Sequence, residues 1–176
     1  MPALDRYTGV VYDALDAGTM DAATRTFADE HVVIHSAMFG LVRASDHIPA
    51  YRLSHDSRLP DLSLKRVWRD AIASELAAQA GLVLDLRSEA YVQLGPAPGS
   101  SFIRVVARGP DGRRRALNHF NKKGKGEFVR AIIEAGIVHP DADSLLSWAT
   151  TSGVDLVAGA PGELELAVDE VVAGPR

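Results

Sequence analysis

Apolar side chains recur three and four residues apart at Leu64, Val67, Trp68, Ile72 and Leu76, behind a serine, Ser63, whose hydroxyl can take up a free amide of a first turn. That spacing predicts a helix over 63–80 with one face toward a core. Gly81 stops it, and Leu82-Val83-Leu84-Asp85-Leu86 is then apolar almost without alternation. A strand of this kind is covered on both faces, which implies a parallel sheet. Upstream, Asp21 can cap a helix to about Glu30 with Ala22, Ala23 and Phe27 turned inward, and residues 32–35 read as a short buried strand. Downstream, Pro96, Pro98 and Gly99 mark a loop, and residues 102–108 and 115–120 flank a Gly109-Pro110-Asp111-Gly112 turn, a hairpin signal. Phe128, Val129, Ile132 and Ile133 fall on one side of a helix that begins near Glu127 and ends at Gly136, with Glu127, Arg130 and Glu134 on the other side. A further helix runs over about 141–151 behind Asp141. Residues 154–157 and 164–168 form another hairpin or a pair of edge strands.

These elements define a mixed α/β (α+β) class, with a mixed central sheet, flanking helices and a β-hairpin. No repeat period or low-complexity linker divides the chain, so residues 1–176 are read as a single domain. Composition agrees, since 47% apolar and 24% charged residues are the balance of a globular chain with a real core. The formal charge of −4 argues against a surface that is basic throughout and leaves room only for a local basic patch. With no cysteine, disulfides, cysteine–zinc sites, iron–sulfur clusters and a thiol nucleophile are excluded. The start has no apolar leader and no run approaches membrane-spanning length, so a cytoplasmic location with no membrane contact is expected.

Polar groups concentrate in three blocks. In the connector after residues 32–35, Arg43, Asp46, Tyr51 and Arg52 crowd around Gly40 and Pro49, where a core accounts only for Phe39, Leu41 and Ile48. The end of a buried strand is where α/β proteins usually build sites. The second block, Asn121-Lys122-Lys123-Gly124-Lys125-Gly126, lies before the predicted helix, where glycines and a helix N-terminus could cradle an anion that three lysines neutralise. It is not a Walker A loop, and a solvated basic turn explains it equally well. Its Gly-x-Gly run also resembles, weakly, the second half of a helix–hairpin–helix that offers amides to a DNA phosphate. The third block puts Asp85, Arg87, Ser88 and Tyr91 at the end of the most buried strand, though Ser88 could equally cap a short helix while Arg87 pairs with an acid. The six histidines form no metal-ligand pair, Arg113-Arg114-Arg115 reads as a solvated run, and no Gly-x-Ser-x-Gly elbow is present. No metal site and no cofactor are expected.

Four segments, in order, resemble the YaaA peroxide-stress family. They are Tyr7-Thr8-Gly9-Val10-Val11-Tyr12-Asp13-Ala14-Leu15, then Gly40-Leu41-Val42-Arg43 with Asp46 and Tyr51-Arg52-Leu53, then Asp85-Leu86-Arg87-Ser88 with Tyr91, then His119-Phe120-Asn121-Lys122-Lys123 with Gly126. The likeness runs over about 7–168. Ala44 stands where the family has proline, Ser54 and Ala90 where it has acids, and Lys125 where it has an arginine, which keeps the charge but loses bidentate geometry. Family members begin with several dozen further residues, including an opening strand. The chain is therefore expected to be a fragment resembling the C-terminal two-thirds of such a protein, with a sheet edge that the absent segment would cover.

The resemblance implies a mixed α/β fold with a basic cleft, DNA binding in that cleft, and a role in limiting peroxide damage by lowering free iron. The residues expected to meet DNA or another anion are Arg43, Arg52, Lys122, Lys123, Lys125 and Arg130, with Asp85, Ser88 and Tyr91 as a strand-end site. The alternative is an enzyme acting on a phosphorylated or nucleotide-like small molecule. There Arg43 and Arg52 clamp the anion, Tyr51 or Lys122 transfers a proton, and Asp46 orients an arginine. Under both readings the partner carries phosphate. A truncated product without activity is a third expectation.

Overall fold

The structure, a computed structural model, describes residues 1–108, 114–116 and 121–169. The chain opens with α1 (Ala3–Arg6), α2 (Val10–Leu15) and α3 (Ala22–His31). Asp21 caps α3 as expected, its carboxylate accepting the Thr24 amide at 2.8 Å. Ala22 and Ala23 are nevertheless exposed, because α3 meets the core through its second half, where Ala28 is buried and Phe27 packs beside it.

Next come β1 (Val33–Ser36) and β2 (Gly40–Arg43), an antiparallel hairpin that stands apart from the main sheet, with Val33 opposite Arg43 and Ser36 opposite Gly40. The strand expected at 32–35 is thus one arm of a two-stranded ribbon, and part of the presumed connector is the other arm. One face of such a ribbon is wet, and Val33 is accordingly 52% exposed. Gly40 is required at the turn, since its φ is +74° and an added Cβ would lie 2.8 Å from the Trp68 ring. Trp68 belongs to α4 (Leu64–Ala77), which Ser63 caps, and its indole N–H donates to the Ala37 carbonyl at 2.8 Å.

The main sheet comprises β3 (Leu84–Asp85), β4 (Ser101–Arg108), β5 (Arg114–Ala116), β6 (Leu156–Ala158) and β7 (Glu163–Asp169), in the order β3-β4-β7-β6. β5 pairs with the end of β4, where β4 has run past β3. β3, β4 and β7 are parallel, while β5 and β6 run antiparallel to their neighbours. The parallel sheet implied by the apolar run at 82–86 therefore exists, although only Leu84 and Asp85 enter the ladder. β7 is not an edge: it pairs on both sides, with Leu164 and Leu166 buried. The predicted turn at 109–112, Arg113, and residues 117–120 with His119 lie outside the described residues, as do 170–176.

α5 (Glu89–Val92) follows β3. α6 (Asn121–Ala135) and α7 (Ala142–Thr151) cover the sheet, closing a core of Ile103, Val105, Phe128, Leu145, Ala149, Leu156, Leu164 and Leu166. A second core holds Leu4, Leu15, Ala28, Ile34, Val42, Ile48 and, from α6, Ile133. α6 borders both. Ile103, fully buried on the central strand, sets a test of this core. Ile103→Ala should cost about 2–5 kcal/mol in urea-induced unfolding, since a cavity adds to the lost transfer energy.

Candidate functional site

The Asn121–Gly126 block is helix rather than loop, because α6 starts at Asn121. Its glycines answer to packing. A Cβ at Gly124 would lie 2.7 Å from Val168 Cγ1, and one at Gly126 would lie 2.3 Å from the Val11 carbonyl oxygen and 2.8 Å from Ala14 Cβ. The expected backbone cradle is thereby corrected: these glycines let α6 touch β7 and α2. The three lysines also diverge. Lys122 and Lys123 are exposed, and Lys123 pairs with Glu127 at 3.0 Å. Lys125 is 5% exposed, donates to the Arg87 carbonyl at 3.1 Å and stands 4.8 Å from the centre of the Phe102 ring. Burial, above all, pulls its pKa down to about 8. Arg130 is occupied as well. It donates to the Leu15 and Asp16 carbonyls at 3.1 and 2.7 Å and to Thr19 Oγ1 at 2.9 Å, closing the C-terminal end of α2, and it pairs with Glu134.

At the strand end, Arg87 grips Asp85 through Nε to Oδ1 at 2.8 Å and Nη2 to Oδ2 at 2.6 Å, with the carboxylate 4% exposed. Its Nη1 donates to the Gly95 carbonyl at 2.7 Å and meets His35 Nδ1 at 3.0 Å. A guanidinium only donates, so His35 Nδ1 accepts and its hydrogen sits on Nε2. That nitrogen is buried without a partner among the described residues. Burial and then Arg87 push the His35 pKa down to about 4, which keeps the ring neutral. Ser88 caps α5 by accepting the Tyr91 amide. The bland reading of this block thus describes Asp85, Arg87 and Ser88, and leaves Tyr91 available.

The connector does not bring its charged side chains to one point. Asp46 accepts the Arg43 amide at 2.7 Å, and its carbonyl accepts from the Ala3 amide, so it shapes a turn instead of orienting a guanidinium. The exposed Arg43 side chain lies near Asp29, at the open end of the hairpin. Arg52 is exposed and forms no ion pair among the described residues.

Hydroxyls converge instead. Tyr51 Oη lies 2.6 Å from Ser36 Oγ and 2.6 Å from Tyr7 Oη, and Ser36 Oγ accepts the Met38 and Phe39 amides at 3.1 and 3.0 Å. The Tyr7 ring stacks on Tyr12 at 5.3 Å and meets Tyr51 edge-on at 6.2 Å. Tyr91 packs against His35 and His55 at 5.2 and 5.3 Å, and its charge state is felt by Tyr12. These are all four tyrosines of the chain. Burial raises the pKa of Tyr7, Tyr12 and Tyr91, so they remain protonated donors. Tyr7, Tyr12, Ser36 and His35 carry no motif of their own. The available signal was scarcity, four tyrosines that all fall within the segments of family likeness.

Among the described residues no cluster of histidine and carboxylate side chains could hold a metal, and no helix is long and apolar enough to cross a membrane. A cleft of about 370 Å³ lies between α6 and β7, lined by Gly124, Phe128, Gly153 and Val168 among others, away from the tyrosines.

The architecture is thus a mixed α/β fold in which Tyr7, Tyr12 and Tyr51 form a tyrosine junction on the helical core, Tyr91 packs on a smaller third core, and the buried Lys125 lies beside Arg87 and Phe102. The family described as peroxide stress protein YaaA matches residues 1–150, and the chain belongs to that family. A UPF0246 protein of Corynebacterium efficiens is 45% identical over 137 residues, 75% of this chain and 54% of the relative. UPF0246 proteins of Corynebacterium glutamicum and Streptomyces coelicolor are 40% and 38% identical over 159 and 169 residues, covering 88% and 92% of this chain and 63% and 64% of the relatives. The chain therefore spans between half and two-thirds of the length of these relatives.

The buried lysine makes a pH prediction. With its pKa near 8 when folded and at its ordinary 10.5 when unfolded, the unfolded chain holds more protons in between. This group's contribution to stability therefore rises with pH over that window. Stability measured by urea unfolding from about pH 7 to 10 should rise in the wild type relative to Lys125→Met, a difference that cancels the titration of the tyrosines common to both. A constant difference would show that Lys125 titrates normally.

Proposed function

We propose that this chain carries the ligand-binding part of a peroxide-stress protein. It engages DNA or another phosphate-bearing ligand beside the tyrosine junction, and so helps limit peroxide damage and intracellular free iron. The observation that supports this reading is that Arg52 and Lys122 are exposed cations with no ion pair among the described residues. Arg52 directly follows Tyr51, and Lys122 lies one turn ahead of Gly126, on the stripe of α6 that faces α2. Arg43 and Lys123 add charge at greater distance or with a carboxylate alongside, whereas Lys125 and Arg130 hold the scaffold. Because the net charge is −4, attraction to phosphate has to be local. Binding of a single-stranded oligonucleotide should weaken steeply with salt. Arg52→Ala with Lys122→Ala should flatten the plot of log affinity against log salt by about one to two units. Salt-independent retention of the oligonucleotide would reject the reading.

The second reading is an enzyme acting on a phosphorylated or nucleotide-like small molecule. One observation favours it: Lys125, with its pKa near 8, stands beside the Asp85–Arg87 pair, a protonation balance suited to acid–base work near neutral pH. Stabilisation of the protein by a nucleotide, lost in Arg52→Ala and unaccompanied by oligonucleotide binding, would select it.

A further inference from the structure

The Ser36–Tyr51–Tyr7 group has a hydrogen too many. Ser36, 1% exposed, has two acceptor positions on Oγ, and the Met38 and Phe39 amides fill both. Its own hydrogen must therefore go to a phenol. The two phenols share one oxygen–oxygen contact, at 2.6 Å, which consumes one of their two hydrogens. The other cannot return to Ser36, so one phenolic hydrogen is left to point out of the group, whichever way the Tyr7–Tyr51 bond runs. Tyr91 repeats the situation. The His55 backbone lies beside its oxygen, and its own hydrogen has no acceptor among the described residues. Tyr7, Tyr51 and Tyr91 are half-buried, close enough to solvent to be reached.

We propose that the hydroxyls of Tyr7, Tyr51 and Tyr91 form a neutral donor site for a phosphoryl oxyanion. A site with hydrogens to give, and with the acceptor positions of Ser36 already filled, selects a group that is all acceptor, and phosphoryl oxygens have that character. Burial keeps the Tyr7 and Tyr91 phenols protonated, so these donors persist across the neutral range. Neutral donors held in fixed positions can hold an oxyanion without a counter-charge in contact, while Arg52, one residue beyond Tyr51, brings the anion near. The site rests on the proposed reading that the ligand carries phosphate, and it adds which groups touch the phosphate oxygens. The phosphoryl group could belong to a nucleic acid backbone or to a free phosphomonoester, and the probes below separate the two.

Tyr7→Phe combined with Tyr51→Phe, and separately Tyr91→Phe, remove the phenolic donors and keep the rings; Tyr7→Phe alone would leave the Tyr51 hydrogen free to point outward. Each should be measured against inorganic phosphate, adenosine monophosphate and a single-stranded oligonucleotide over a series of salt concentrations, with thermal unfolding as the record of folding. A hydrogen bond to a charged group predicts a loss of about tenfold or more in affinity per donor hydrogen removed, with the salt slope unchanged because no cation is removed. Loss for all three probes marks a free phosphomonoester site; loss for the oligonucleotide alone marks a backbone site, and both support the assignment. If the Phe variants melt lower yet bind as the wild type does, the hydroxyls serve packing only and the assignment is overturned. If Arg52→Ala flattens the salt slope while the Phe variants change nothing, the donor site falls and the proposed function stands. If the wild type binds none of the three probes, both fall.

Discussion

The contact on which the rest of the molecule depends is the approach of α6 to α2 at Gly126. No side chain fits there, because a Cβ would sit 2.3 Å from the Val11 carbonyl oxygen. Two residues earlier, Gly124 lets the same helix reach β7 at Val168. One helix thus touches the sheet through Phe128 and the helical layer through Val129 and Ile133, and joins the two cores. Lys125 lies between the two glycines, and this double contact buries it. Its amine is left the Arg87 carbonyl and the Phe102 ring as neighbours, and desolvation lowers its proton affinity.

The same close fit explains why much of the charge that the sequence displays is structural. Arg130 ends α2, Arg87 and Asp85 neutralise one another at the end of β3, and Arg104 grips Glu163 across β4 and β7 at 2.8 and 2.6 Å. A buried guanidinium–carboxylate pair such as Arg87–Asp85 fixes positions more than it adds net stability. Beside these pairs stands a set of half-buried tyrosines, of which Tyr7, Tyr12 and Tyr91 are held protonated by burial.

Much of the fold was legible in the sequence where periodicity was uninterrupted. α4 behind Ser63, α7 behind Asp141 and α3 behind Asp21 follow from apolar spacing and caps, and the parallel character of the sheet follows from the run at 82–86. Misreadings arose where a residue type has two uses. Glycines at 124 and 126 signal a loop when a loop is sought, yet inside a helix they mark close approach, and only the partner element tells which. Residues 154–157 and 164–168 read as a hairpin, which β6 and β7 form, or as a pair of edge strands, which β7 is not because β4 pairs on its other side. In the site, Tyr51 and Tyr91 were legible as polar residues in charged blocks. The hydrogen bonds of Tyr51 with Tyr7 and Ser36 were not, because they join residues 44 and 15 positions apart. The family, by contrast, was readable from four ordered segments.

If α6 joins the two layers through Gly126, amide hydrogen exchange in Gly126→Ala should report it most directly. The expected result is a joint loss of protection in α2, in α6 and in the hairpin that carries Ser36, while the β4–β7 ladder stays protected, since its bonds do not depend on α2. Protection in α2 and the hairpin equal to that of the wild type, with α6 still helical, would contradict it.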